Sequence, residues 1–134
     1  MFRTVIRWHR IFKSVEEALL RIPPGKPLLL HVAGRKVCVV NANAPESTAP
    51  PAFAAVEERC PHNGFSLAQG WTTFTESGQC ALVCPLHRYA FGVHNGRRIN
   101  GGGETARAFP VEVRNDGVYL GTEEMEWGWR KKNS

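Results

Sequence analysis

From Thr4 to Phe12 apolar and polar residues alternate loosely, the period-two pattern of a strand with one covered face. The pattern then changes. Ser14 is followed three residues later by Glu17, and Ala18, Leu19 and Ile22 supply apolar positions, which predicts a short capped helix with those three on its inner face. Pro23-Pro24-Gly25 ends it. Leu28–Val32 and Lys36–Val40 are apolar runs of strand length, joined by Ala33-Gly34-Arg35 into a hairpin. Residues 41–51, rich in Ala, Asn and Pro, predict a surface loop, and Phe53–Glu57 is the next strand. Trp71–Thr75 and Gln79–Val83 flank Glu76-Ser77-Gly78 as a further hairpin. Phe91–Ile99 carries Asn95-Gly96, a two-residue turn signal, and Ala106–Val113 with Val118–Leu120 flank Asn115-Asp116-Gly117 as a closing hairpin. Short strands punctuated by turns predict an all-β, antiparallel architecture with one short N-terminal helix.

A chain of 134 residues makes one domain with a real core, and 43% hydrophobic with 22% charged residues fits a soluble globular protein. We expect that domain to span 1–121. The charged tail, 122–134, either packs Trp127 and Trp129 back on the domain or stays free. The formal net charge of +5 suits an acidic protein surface as partner. Nucleic acid is the other common partner of a basic chain, but Arg and Lys are scattered here. Only Arg130-Lys131-Lys132 forms a run, so no nucleic-acid partner is expected. No stretch approaches the ~18 apolar residues of a membrane helix. Arg3, Arg7 and Arg10 interrupt the N-terminal apolar residues, unlike a signal segment. A cytoplasmic protein with no membrane partner is therefore expected. Cys38 and Cys80 fall in apolar strands and are expected reduced and buried, a disulfide between them being the alternative.

Two boxes stand out from this β pattern: Cys60-Pro61-His62-Asn63-Gly64 and Cys84-Pro85-Leu86-His87. Each offers one thiolate and one imidazole. A [2Fe–2S] core has two irons needing two protein ligands apiece, and two Cys with two His is the donor set of its Rieske form. Structural zinc accepts the same donors, yet its usual motifs pair like with like at longer spacing than Cys60 to His62. Zinc stays open on donor types alone. Pro61 and Pro85 restrict the backbone just after each Cys, which suits preformed ligand loops.

The two boxes closely resemble those of the Rieske iron–sulfur family, and the resemblance runs from about Leu28 to Leu120. It implies a Rieske-like antiparallel β architecture with an inserted cluster-binding subdomain, here about 58–91. It also implies one [2Fe–2S] cluster per chain, with Cys60 and Cys84 on one iron and His62 and His87 on the other. Each imidazole would use one ring nitrogen and turn the second to solvent as the electron exit. The implied function is one-electron transfer from a reductase to an oxygenase or similar terminal redox enzyme. Those redox proteins are then the partners, and the carrier has no small-molecule substrate of its own. The alternative is a small or regulatory subunit of a larger redox enzyme, such as an assimilatory nitrite reductase. A catalytic oxygenase needs a further iron domain with two His and a carboxylate, for which this length leaves no room. No catalytic residue is assigned.

The same resemblance bears on potential. High-potential members join their cluster loops by a disulfide, where this chain has Phe65 and Leu86. They also donate hydroxyl hydrogen bonds from a Ser and a Tyr, where it has Tyr89 and Phe91. Fewer such bonds place the chain near the bottom of a range of about −150 to +300 mV. Many relatives carry Gly after the second His, where Arg88 stands, and Gly101-Gly102-Gly103 is either a third cluster loop, as the resemblance implies, or a flexible turn. Trp71 and Phe65 are expected to pack, and His9, His31 and His94 to be structural or on the surface.

Overall fold

A computed structural model describes residues 1–99 and 101–127. In chain order the elements are β1 (Phe2–Phe12), α1 (Val15–Arg21), β2 (Leu28–Val32), β3 (Arg35–Asn41), β4 (Phe53–Glu57), a 3₁₀ turn (Leu67–Gln69), β5 (Trp71–Phe74), β6 (Cys80–Val83), β7 (Ala90–Gly92), β8 (Ala108–Phe109), β9 (Val111–Arg114) and β10 (Gly117–Trp127). They form three antiparallel sheets, ordered β2-β3-β4-β8, β1-β10-β9 and β5-β6-β7. This is the all-β architecture with one short helix that the pattern predicts.

The longest apolar runs lie in the middle strands because those strands are covered on both faces. Side chains alternate across a strand. Val37, Val39, Phe53 and Ala55 therefore point into one core with Phe12, Ala18, Ile22, Val118 and Leu120. Their neighbours Cys38, Val40, Ala54 and Val56 point into a second, with Leu67, Leu82, Phe91 and Val93. Each buried Leu, Val or Phe contributes about 1.5–3 kcal/mol. The first core joins the central β2-β3-β4-β8 sheet to the β1-β10-β9 sheet around α1. The second lies between the central sheet and the inserted β5-β6-β7 sheet, and the two boxes sit at its edge.

Ser14 caps α1, its Oγ accepting the Glu17 N–H at 3.1 Å, while the Glu17 carboxylate accepts from the Lys13 N–H at 2.9 Å. The Val15–Ala18–Ile22 row of this two-turn helix faces inward. Leu19 is 44% exposed, so the apolar face is narrower than predicted. The second arm of the Phe91–Ile99 hairpin does not form a strand. Phe91 and Arg98 make a single bridge before the chain departs toward the Gly101–Gly103 loop. The run Ala106–Val113 is split at Pro110, which lacks the N–H to continue a ladder. β8 before it pairs with β4, whereas β9 after it pairs with β10. Residues 122–127 of the expected tail extend β10, paired with β1 from His9↔Leu120 out to Phe2↔Trp127. Trp129 and Arg130-Lys131-Lys132 lie outside the described residues. Cys38 and Cys80 are free and buried.

Candidate metal centre

Both boxes are tight loops grown from strand ends. After β4 the chain turns through 60–65, closed by a bridge between Arg59 and Ser66. β6 and β7 are hairpin partners, with Val83 opposite Ala90, so 84–89 is their connecting loop. The loops close alike. Cys60 N–H donates to the Phe65 carbonyl and Cys84 N–H to the Tyr89 carbonyl, each at 2.8 Å and each five residues on. Four residues after each Cys the backbone is left-handed, with φ +77° at Gly64 and +59° at Arg88. Glycine adopts this conformation freely, whereas another residue loses roughly 1–2 kcal/mol. Gly64 is what the turn requires, and Arg88 tolerates the same requirement.

This shared geometry aims the thiols inward and the imidazoles outward. Cys60 and Cys84 are 2% and 0% exposed and belong to the core that holds Leu67, Leu82 and Phe91. Burial pushes the Cys60 thiol upward, and the neighbouring Cys84 thiol adds to this. The backbone N–H groups of His62 and Asn63 pull the other way. Two neighbouring buried sulfurs are natural donors to a bound cation. Asn63 ties the loops together. Its Nδ2 lies 3.9 Å from Cys84 Sγ, and its Oδ1 accepts the Phe65 N–H at 2.8 Å. The exposed rings of His62 and His87 stand with centroids 6.0 Å apart and planes at 86°. Among the described residues no three His, Cys, Asp or Glu side chains converge as ligands of a single ion. The candidate donors form a buried thiol pair and an exposed imidazole pair.

Three neighbours of His62 complete the outer face. Its Nδ1 lies 3.2 Å from Glu104 Oε2. Glu104 Oε1 accepts from Arg98 Nη1 at 2.8 Å. The Arg98 guanidinium lies 3.5 Å from the centroid of the Tyr89 ring, and that ring packs edge-on to His62 at 4.3 Å. The Arg98 hydrogen bond, helped by Glu104's own N–H and by His62, holds the Glu104 carboxyl at about 2, well below its ordinary value. Sequence reasoning did not single out Glu104 or Arg98. The available signal was the position of Glu104 directly after Gly101-Gly102-Gly103.

The remaining expectations sort by exposure. Phe65, Leu86 and Trp71 are 39%, 50% and 37% exposed, so Phe65 and Trp71 pack only in part, while Phe91 is buried. Arg88 is exposed beside His87. His31 and His94 are on the surface, and His9 Nε2 meets Thr122 Oγ1 at 2.8 Å across β1 and β10.

The sequence profile of the Rieske [2Fe–2S] domain matches residues 12–110. The ferredoxin component of the alkene monooxygenase system of Xanthobacter autotrophicus is 36% identical over 73 residues, which are 54% of this chain and 57% of that protein. The chain thus spans little more than half the length of that relative. The ferredoxin of carbazole 1,9a-dioxygenase from Nocardioides aromaticivorans IC177 superposes with a TM-score of 0.60 at 25% identity, covering 84% of this chain and 95% of that one. A Mycobacterium tuberculosis protein described as an NADH-dependent nitrite reductase small subunit gives a TM-score of 0.70 at 15% identity, over 88% and 96% of the two chains. That last likeness is one of fold.

Proposed function

Because this chain belongs to the Rieske [2Fe–2S] domain family, we propose that it is a one-electron carrier between a reductase and an oxygenase or similar terminal redox enzyme. The observation that carries the reading is the pair of matched loops, with Cys60 and Cys84 buried together and His62 and His87 exposed above them. In this reading the thiolates of Cys60 and Cys84 hold one iron, and a ring nitrogen each from His62 and His87 holds the other. The cluster supplies reversible one-electron storage. The chain supplies the rest. The core around Leu67, Leu82 and Phe91 keeps water from the thiolates. The N–H groups of His62 and Asn63 offset thiolate charge, and the exposed imidazoles give an electron a short path outward.

Likeness to oxygenase ferredoxins at 36% and 25% identity supports the oxygenase assignment over the nitrite-reductase subunit. The reading includes a cytoplasmic location, supported by the free thiols of Cys38 and Cys80. Among the described residues no helix is long and apolar enough to cross a membrane.

Metal and acid-labile sulfide analysis of the purified protein tests the reading. Two irons and two sulfides per chain are expected, and zinc in their place would overturn it. Cys60→Ser and Cys84→Ser should each abolish the visible absorption, whereas an unchanged spectrum would refute the ligand assignment.

A further inference from the structure

A groove of about 650 Å³ opens beside the first ligand loop. Arg35 and Lys36 line it from the start of β3, Arg107 from the residue before β8, and Arg59 from the edge of the loop itself. Glu57 and Glu58, half-buried at the end of β4, are the carboxylates among its lining residues. Four cations thus meet two carboxylates in one concavity. Among the described residues none of the six makes an ion pair. Arg107 lies over the Phe109 ring, 5.7 Å from its centroid, and stays exposed. Unpaired cations gathered in a cleft focus a positive potential there. Gly64 and Ser66 form the wall on the loop side, so an occupant comes within two residues of His62.

We propose that this groove docks an acidic peptide segment of a redox partner and so fixes that partner beside the exposed His62 and His87. The redox nature of the partner rests on the carrier reading, whereas the groove's preference for acidic peptide does not. The volume suits a molecule of many atoms and is far too large for a single ion. The guanidinium groups of Arg35 and Arg107 offer forked donors that match carboxylates. Glu57 and Glu58 decide the class of occupant. A nucleic-acid strand carries a phosphate at every unit and would set some of them against these two residues. A peptide instead interleaves its carboxylates with backbone N–H groups, which donate to Glu57 and Glu58. The chain's net charge of +5 draws an acidic surface in from a distance, and the groove gives it one orientation.

The test uses the iron-loaded protein and a fluorescein-labelled peptide of alternating Glu and Gly, with affinity read by fluorescence anisotropy at low ionic strength. One variant combines Arg35→Gln, Lys36→Gln and Arg107→Gln, and leaves Arg59 in place because it adjoins Cys60. The control combines Arg3→Gln, Lys13→Gln and Lys26→Gln, exposed cations outside the groove. The groove variant should keep two irons and two sulfides per chain and bind the peptide about tenfold more weakly, while the control stays near wild type. Carbodiimide, which joins a carboxylate to an amine, should link the peptide to Lys36 ahead of Lys13 and Lys26. Equal losses in both variants, a wild-type protein that does not bind the peptide, or cross-links spread evenly over these lysines overturns the proposal. An oligothymidylate that binds the groove more tightly than the peptide overturns it as well. If the groove variant does not take up its cluster, Lys36→Gln and Arg107→Gln decide separately: weaker binding in either supports the proposal, and wild-type affinity in both overturns it. Zinc in place of iron and sulfide in the wild type defeats the carrier reading, and the redox nature of the partner with it. A failed groove test on protein with an intact cluster defeats the groove alone.

Discussion

Arg88 occupies in the second loop the place that Gly64 occupies in the first, at φ +59° against +77°. The two loops share one closing hydrogen bond at one spacing, so the left-handed position is a property of the turn. A glycine there would therefore be a backbone solution. Arg88→Gly should remove the strain of roughly 1–2 kcal/mol at some cost in chain entropy, for a net gain of up to about 1 kcal/mol. Chemical denaturation of the loaded protein checks this, and a clear loss of stability would contradict the loop equivalence. Phe91 shows the opposite dependence on packing. It is wholly buried in the core behind the thiols, and Phe91→Ala should cost about 3–5 kcal/mol. Its cluster should bleach at a lower temperature during a thermal ramp.

At the scale of elements, β1 and β10 form a long ribbon that pairs Phe2 with Trp127 at one end and Phe12 with Val118 at the other. Most of its residues are exposed on β1, so the ribbon depends on its ladder and on contacts such as His9 to Thr122. Thr122 is the one polar side chain among the described residues that is buried, at 2% exposure. Ending the chain after Gly121 would remove the partners of Phe2–Arg7 and that hydrogen bond. Such a truncation should lower stability by at least the ~1 kcal/mol of the bond, measured as a lower thermal midpoint. An unchanged midpoint would show that 1–121 is the whole cooperative unit.

The central sheet serves two cores, which couples the proposed cluster site to the rest of the molecule. Cys38 of β3 and Cys80 of β6 pack in the same core as Cys60 and Cys84. Burial pushes Cys38 up to about 12 and Cys80 up to about 11, from an ordinary 9.0. A thiol raised on folding contributes its stability fully below the unfolded value and loses it as pH climbs toward the folded one. The thermal midpoint should therefore hold from neutral pH to about 9 and fall progressively toward 11 and 12. Replacing both residues by Ala should remove that part of the fall when the curves are compared. The potential is also a property of the whole site. Buried Phe91 cannot donate a hydroxyl hydrogen bond, Phe65 and Leu86 leave no inter-loop disulfide, and the thiols sit in an apolar core. A midpoint near about −150 mV is expected, and a value above zero at neutral pH would show that the surroundings of Tyr89 had been misread.

The proposed donor set was legible in the sequence because donor chemistry is local. Cys60, His62, Cys84 and His87 carry it in their side-chain types and spacing, and Pro61, Pro85 and Gly64 mark the turns around them. The strand runs were legible for a similar reason, since burial on both faces leaves continuous apolar stretches such as those of β3 and β4. What lay beyond reach were pairings between residues far apart along the chain. Glu104 meets His62 across 42 positions and Thr122 meets His9 across 113. No periodicity records such a meeting, and a Glu after three glycines reads the same whether it faces solvent or a ligand. The split of Ala106–Val113 was half visible: Pro110 announced a break, but only the packed sheets determined that β8 would join β4 and β9 would join β10. Local steric rules act within a few residues, whereas hydrogen-bond partners and charge neighbours are set when separate sheets close on a shared core. The chemistry proposed for the site was therefore written in the chain, and the neighbours of its side chains emerged only in the fold.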